Sequence, residues 1–558
     1  MRYVIQKRKI IVLMIGVLFF TSFPSFGKDL IYNSKFFRAA EMVNNVSEDK
    51  AYIHLLLRED REFDIKLIYS ERPDLSDPRT VVYRRKSNSK KNILIPLTNL
   101  KEGKRFFYQI YYQIYCREER GWEKATPIRN FATLKGNLNK GDMLKVILVG
   151  DLHTFDDADL GNKIVNSEGW RKLRLSGDYV NIFLERLFRN PFWTPKPGSV
   201  ESKLMEGFCW AKAMKQILEE DPSNFLFDLG DLTGIGANYK WNGLGLSKEY
   251  AEKNYEEISK ILWERTRRIY SGLSPYLPIY LVPGNHDGEE NWNPAKFAAK
   301  KWKKKIFPMP KFGTNFEGDF SDGNYYAFTC GKNPNGTGGA LFVVLDVCTY
   351  SGANNSQPKK LEEWTLGENQ FQWLERVLER SRAKYKFILF HHVLGGWPCG
   401  SSESETNYCY GRGPLFTEDD YRLIGVIDQS KIEQIKLTEL ARKYNVNMFI
   451  YGHDHIFHLR SIGKNAKGDE MYALCVGSPK YQHDKRWWEE MLWQMFYGYA
   501  YRIPTPPFYG VPGYAVLNIT KDRLEIKFVC SAYAPYPELN NFPARPGDLL
   551  FSKELYFH

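Results

Sequence analysis

Five apolar runs in this 558-residue chain end on side chains that a buried strand gains nothing by carrying. KVILVG leads into Asp151-Leu152-His153, NFLFDLG into Asp231, and PIYLVPG into Asn285-His286-Asp287. KFILF leads into His391-His392, and VNMFIYG into His453-Asp454-His455. Each run, like the further run ALFVVLDV, has the length and composition of a strand covered on both faces. Amphipathic stretches at 204–220, 248–270 and 368–384 lie between them, so the chain from residue 141 reads as α/β. In open α/β sheets the carboxyl ends of the strands converge on the ligand site. Six of the ten His lie in these strand-end motifs, which predicts one shared site rather than scattered surface histidines.

Burying ionisable groups is costly unless something compensates them, and a pair of cations would do so. Mixed imidazole and oxygen ligation suits two divalent or trivalent ions of Zn, Mn or Fe better than Mg or Ca. In Asp151-x-His153 and His453-x-His455 the spacing of two puts both side chains on one face of a strand. Asp231 stands alone, and a single carboxylate can bridge two metals. Asn285 offers a neutral oxygen, which leaves the site positive enough to receive an anionic phosphate.

Length predicts more than one domain. Residues 28–135 carry short segments rich in β-branched and aromatic residues, with a turn at Lys101-Glu102-Gly103-Lys104, and read as a smaller all-β sandwich. The order NLKEGKRFFYQIYY followed by FATL resembles fibronectin type III-like modules, including those placed before phosphatase domains. Residues 141–535 form the expected catalytic domain, with insertions at about 156–224 and 396–424 and a closing hairpin over 514–529. Residues 536–558 read as a carboxyl-terminal tail.

Residues 1–27 read as a signal peptide, with Arg2, Lys7, Arg8 and Lys9 before an apolar run, Ile10 to Phe20, too short to span a bilayer comfortably. Ser25, Phe26 and Gly27 supply a cleavage site, and no later stretch is apolar enough for a membrane span. These features predict a periplasmic or extracellular protein. Removing four basic residues takes the net charge from +12 to about +8, which favours anionic substrates. No Arg-rich repeat or RNA-binding signature points to nucleic acid. Cys399 and Cys409 close a short polar loop and form the candidate disulfide, whereas Cys348 and Cys475 sit in apolar runs as buried thiols. The lysines at 296, 300, 301, 303, 304 and 305 read as a solvated helix face.

The ordered set DLH, GD, GNHD, HH and GHDH resembles the calcineurin-like metallophosphoesterase family over roughly 145–530. That resemblance implies a four-layer α/β/β/α sandwich. It implies one metal held by Asp151, His153, Asp231 and His455, and a second held by Asp231, Asn285, His391 and His453. His392 remains the alternative to His391, because the Pro that often follows the motif in the family is absent here. His286 would face the leaving group, with Asp287 orienting it. The implied reaction is hydrolysis of a phosphate monoester or diester by a water shared between the metals. Purple acid phosphatases resemble the domain layout, but their Tyr iron ligand is replaced here by Gly234, and their D-x-G motif by one ending in His153. Arg412 and His392 are the candidate substrate contacts, Arg412 by bidentate pairing with phosphate. The rival reading is a non-catalytic extracellular adhesion or binding protein on the same scaffold; retention of every metal position favours the enzyme.

Overall fold

The computed structural model describes residues 36–58, 63–84, 92–114, 121–153, 210, 213–220, 222–233, 248–287, 293–310, 316–317, 324–333, 335–348, 365–392, 433–453, 456–479, 508–509, 511–531 and 545–558. The segment read as a signal peptide, the expected disulfide partners Cys399 and Cys409, Arg412, His455, Gly234 and most of both insertions lie outside the described residues.

The amino-terminal region contains β1 (Met42–Asn44), β2 (Ala51–Leu56), β3 (Phe63–Ser70), β4 (Arg79–Tyr83), β5 (Asn92–Leu97), β6 (Arg105–Ile114), β7 (Glu123–Lys124) and β8 (Arg129–Ala132). Two antiparallel sheets form, β1-β2-β5 and β4-β3-β6-β7, with β8 also on β6. In β5 the residues Ile93, Ile95 and Leu97 are buried while Leu94 and Pro96 are exposed, the alternation expected of a strand packed on one face only. The expected sandwich is present.

The region from residue 141 onward adds β9 (Met143–Val149), β10 (Phe225–Asp228), β11 (Ile279–Leu281), β12 (Phe316–Glu317), β13 (Tyr326–Cys330), β14 (Ala340–Val344), β15 (Tyr385–Leu389), β16 (Met448–Tyr451), β17 (Ile456–Lys464), β18 (Glu470–Cys475), β19 (Phe508–Tyr509), β20 (Gly513–Thr520), β21 (Leu524–Cys530) and β22 (Leu549–Leu555). They form a six-stranded sheet, β11-β10-β9-β20-β21-β22, and an eight-stranded sheet, β12-β13-β14-β15-β16-β18-β17-β19. The parallel strands β9, β10, β11, β14, β15 and β16 carry the apolar runs, and all but two of their residues are fully buried or nearly so. The inner faces of the two sheets meet through aromatic rings, with Phe227 5.4 Å and Phe225 5.5 Å from Phe342.

The helices that flank the sheets include α1 (Lys248–Ile269), α2 (Asn293–Ile306), α3 (Glu368–Arg380) and α4 (Glu433–Lys443). Trp373, Leu374 and Val377 of α3 and Leu437 and Ala441 of α4 pack with Val343, Ile388 and Phe449 on the outer face of the eight-stranded sheet. α1 and α2 pack on each other beside the six-stranded sheet, completing the α/β/β/α sandwich. No helix among the described residues is long and apolar enough to cross a membrane.

Two expectations need correction. The segment read as a tail supplies β22, which pairs antiparallel with β21 and is the last strand of the six-stranded sheet. The lysine run on α2 is not wholly solvated, because Lys303 is 2% exposed and burial lowers its ammonium to a pKa of about 8 despite nearby Asp346 and Asp287. Cys348 and Cys475 are buried, as their apolar runs indicate.

Candidate metal centre

The parallel strands deliver their terminal residues to one edge, and the turns that follow are sharply constrained. Asp151, His153, Asp231 and His453 all have φ between 43° and 71°, the left-handed region. Holding non-Gly residues there costs about 1–3 kcal/mol each, and such strain concentrates at functional sites. Gly230, with φ 106°, precedes Asp231, and a Cβ on it would lie 2.8 Å from both Gly284 Cα and His391 Nδ1. A Cβ on Gly284 would lie 2.2 Å from the Asp231 nitrogen. The glycines of the GD and GN motifs therefore allow two strand-end turns, one after β10 and one after β11, to touch backbone to backbone.

Asp231 is the hub of the arrangement. Its carboxylate lies 3.1 Å from His391 Nε2 on one side and 3.9 Å from both His153 Nε2 and His286 Nε2 on the other. Two groups of donors result, His153–Asp231–His286 and Asp231–His391–His453, each with donor atoms within 4.8 Å of one another. Asn285 Oδ1 faces the second group, 2.9 Å from His391 Nε2 and 3.0 Å from His453 Nδ1. His453 Nδ1 and His391 Nε2 are 3.2 Å apart. His391 Nδ1 donates to the Leu229 carbonyl at 2.7 Å, so Nε2 is the atom turned to the cluster. This converging set of imidazole nitrogens, carboxylate and amide oxygen fits Zn, Mn or Fe.

Burial would lower the His391 pKa, but the Asp231 carboxylate outweighs it and holds it at about 10. Burial would likewise raise Asp231, yet His391 and His286 hold it well below the usual carboxylate range. In the metal-free chain this raised His391 pKa contributes stability that is complete below the ordinary value of 6.5 and is lost as pH rises through about 10. A cation at His391 must displace that proton, so the apparent affinity for Mn should rise between pH 6 and 8 by about tenfold per pH unit for each proton displaced. Calorimetric titration in two buffers of different ionisation enthalpy reads both affinity and proton release. An affinity flat across that range would exclude His391 as a ligand.

The other expected residues fall as follows. Asp151 is buried, and its two carboxylate oxygens accept the His453 backbone N–H at 3.0 and 3.1 Å, tying the β9 end to the β16 end. His392 is buried behind the cluster, with its ring 4.8 Å from His453 and its Nδ1 3.7 Å from Cys348 Sγ. Burial and the neighbouring His453 lower its pKa well below the usual histidine value. Asp287, expected beside His286, instead accepts the backbone N–H groups of Asp231, Leu232, Thr233 and Gly284 at 2.8–3.0 Å. It pins the Asp231 turn to the Asn285 turn, while the His286 N–H donates to Asp231 Oδ1 at 2.8 Å. One contributor escaped the sequence reading altogether. Asp228, inside the NFLFDLG run, is fully buried, accepts the Gly230 N–H at 3.0 Å, and accepts the Tyr270 hydroxyl. A carboxylate within an otherwise apolar strand was the available signal.

A sequence model of the calcineurin-like phosphoesterase family matches residues 144–457, more than half of the chain. Tartrate-resistant acid phosphatase type 5 of Oryctolagus cuniculus is 22% identical over 250 residues, which is 44% of this chain and 59% of that protein. The Homo sapiens protein of the same name is 21% identical over the same shares. The chain thus spans less than two thirds of the length of these curated relatives. The solved structure of PhoD is similar with a TM-score of 0.57 at 13% identity, over 94% of this chain and 93% of that one. Purple acid phosphatase PPD1 from yellow lupin (Lupinus luteus) seeds is similar with a TM-score of 0.52 at 11% identity, over 92% of this chain and 74% of that one. At these identities the two structures show likeness of fold.

Proposed function

The chain belongs to the calcineurin-like phosphoesterase family, and on that premise we propose that it is an exported, metal-dependent hydrolase of phosphate esters. The observation that carries this reading is that Asp231 turns one carboxylate oxygen to His153 and the other to His391, the arrangement a bridging carboxylate requires. Asp151, His153, Asp231 and His455 would hold one cation, and Asp231, Asn285, His391 and His453 the other. His391 is preferred to His392 because its Nε2 meets Asn285, His453 and Asp231. Two bound cations would neutralise phosphate oxygens and activate water as the nucleophile.

The chain's own residues supply the rest. Asp287 and Asp228 hold the Asp231 turn. Leu229 fixes the His391 tautomer through its carbonyl. His286, like His453, is a partly open member of the cluster, with its side chain 25% exposed against 0% for His391 and 2% for Asp231. It is placed to carry a proton to the leaving oxygen. His286→Ala should keep both metals and lose about 10²–10⁴-fold in turnover, most for esters with poor leaving groups. Unchanged turnover would remove His286 from the mechanism. Arg412 stays a proposed substrate contact.

The function is tested with p-nitrophenyl phosphate and its bis ester, with added Mn or Zn. Cleavage of either supports the proposal. Two bound metals without cleavage would favour the non-catalytic binding protein. Export is checked by the first residue of the secreted protein, expected to be Lys28.

A further inference from the structure

The amino-terminal sandwich meets the catalytic region along α1, at Lys305 and Pro308, and through the short segment that follows α1. Tyr270–Gly272 forms a 3-10 turn at the end of α1, and the chain continues through Ser274, Pro275 and Tyr276 before β11 begins. On one side this segment meets the sandwich. The Ser274 hydroxyl donates to the Glu41 carbonyl at 2.9 Å, and the Val43 N–H donates to the Ser274 carbonyl at 2.8 Å. The Tyr108 hydroxyl donates to the Pro275 carbonyl at 2.8 Å, and Arg129 reaches the Tyr276 hydroxyl. Arg129 also pairs with Glu41 at 3.3 Å, and both side chains are about 1% exposed or less.

On its other side the same segment reaches the metal centre. The Tyr270 hydroxyl donates to Asp228, whose other oxygen accepts the Gly230 N–H. Gly230 precedes the shared ligand, and its carbonyl accepts the Asp151 N–H at 3.0 Å. A path of side-chain hydrogen bonds joined by the backbone turn of residues 270–276 therefore leads from Arg129 to the turn that aims Asp231. Breaking a buried ion pair leaves an uncompensated charge, so the sandwich cannot release this segment without cost.

We propose that the sandwich is a structural part of the metal centre: it fixes residues 270–276, and Tyr270 acts through Asp228 as a positioning residue for the Asp231 turn. This assigns the module a role other than recruiting substrate, and it rests on the reading of Asp231 as the shared ligand. The path would transmit changes in the sandwich to metal affinity.

The test uses the full chain with Arg129→Met and Tyr270→Phe. Amide hydrogen exchange is followed at residues 230–233 in the metal-free protein, with the amides of β16 as the internal reference for global opening. Exchange at 230–233 should rise about tenfold relative to β16 in both variants, and Mn affinity should fall by a similar factor. Tyr270→Phe removes a single oxygen and keeps the test decisive should Arg129→Met fail to fold. Exchange at 230–233 that stays in step with β16 would overturn the inference. A wild-type chain that binds no Mn, with the exchange response intact, would overturn the metal reading and leave the coupling supported.

Discussion

Asp231→Asn is expected to empty both cation sites together and to lower hydrolysis by on the order of 10³-fold or more, the loss of several kcal/mol of charge stabilisation. The reason lies in the division of labour within the residue. Its backbone is held independently of its carboxylate: the N–H donates to Asp287, and the carbonyl accepts the His153 N–H at 2.8 Å. The asparagine Oδ1 can still accept the His286 N–H that Asp231 Oδ1 now accepts. The turn should therefore survive the substitution. What disappears is the negative charge facing His391, His286 and His153, and one of the two oxygens needed to touch two cations. At neutral pH the variant should melt below the metal-free wild type, because the charge that holds His391 protonated is gone, and it should carry no more than trace metal by elemental analysis. A folded variant with two metals and full rate would remove Asp231 as the bridge. Loss of one metal alone would place the bridge elsewhere.

The site was legible because its parts sit at strand ends. A buried parallel strand reads as an unbroken apolar run, so an Asp, Asn or His at its terminus stands out, and the order of the motifs carries the rest. Less legible was whatever depended on long-range packing. β22 alternates poorly and is mostly exposed at the sheet edge, so LLFSKEL gives almost no apolar period. Lys303 belongs to a run of lysines whose neighbours Lys301 and Lys305 are exposed, and only the placement of α2 turns it inward. Asp287 was visible as part of GNHD, but a sequence does not say whether a carboxylate faces an imidazole or a row of peptide N–H groups. Asp228 looked like one polar residue in an apolar strand. Its meaning appears only when Tyr270, 42 positions away, is brought to it.

Asp287→Ala should be the most destabilising of the single changes near the site, by about 3–5 kcal/mol in the metal-free chain. Four buried backbone N–H groups lose their acceptor at once, at about 1–3 kcal/mol each if none is satisfied again. Part of that loss is offset. Burial and the neighbouring Asp231 raise the Asp287 pKa, so the wild-type carboxylate is held against desolvation and like charge, and removing it relieves both. The net effect therefore falls below the plain sum. Asp287→Asn separates the hydrogen-bond account from one based on charge. Oδ1 accepts the Leu232 and Thr233 N–H groups, and Oδ2 accepts those of Asp231 and Gly284. An amide offers one oxygen and one NH₂, so either orientation sets a donor against two further donors. Asparagine should thus rescue little: its thermal midpoint should lie near that of alanine, and Mn affinity should fall in both. If charge at residue 287 were only a burden, asparagine would instead match or exceed the wild type, and a thermal melt of the three metal-free proteins tells the two accounts apart.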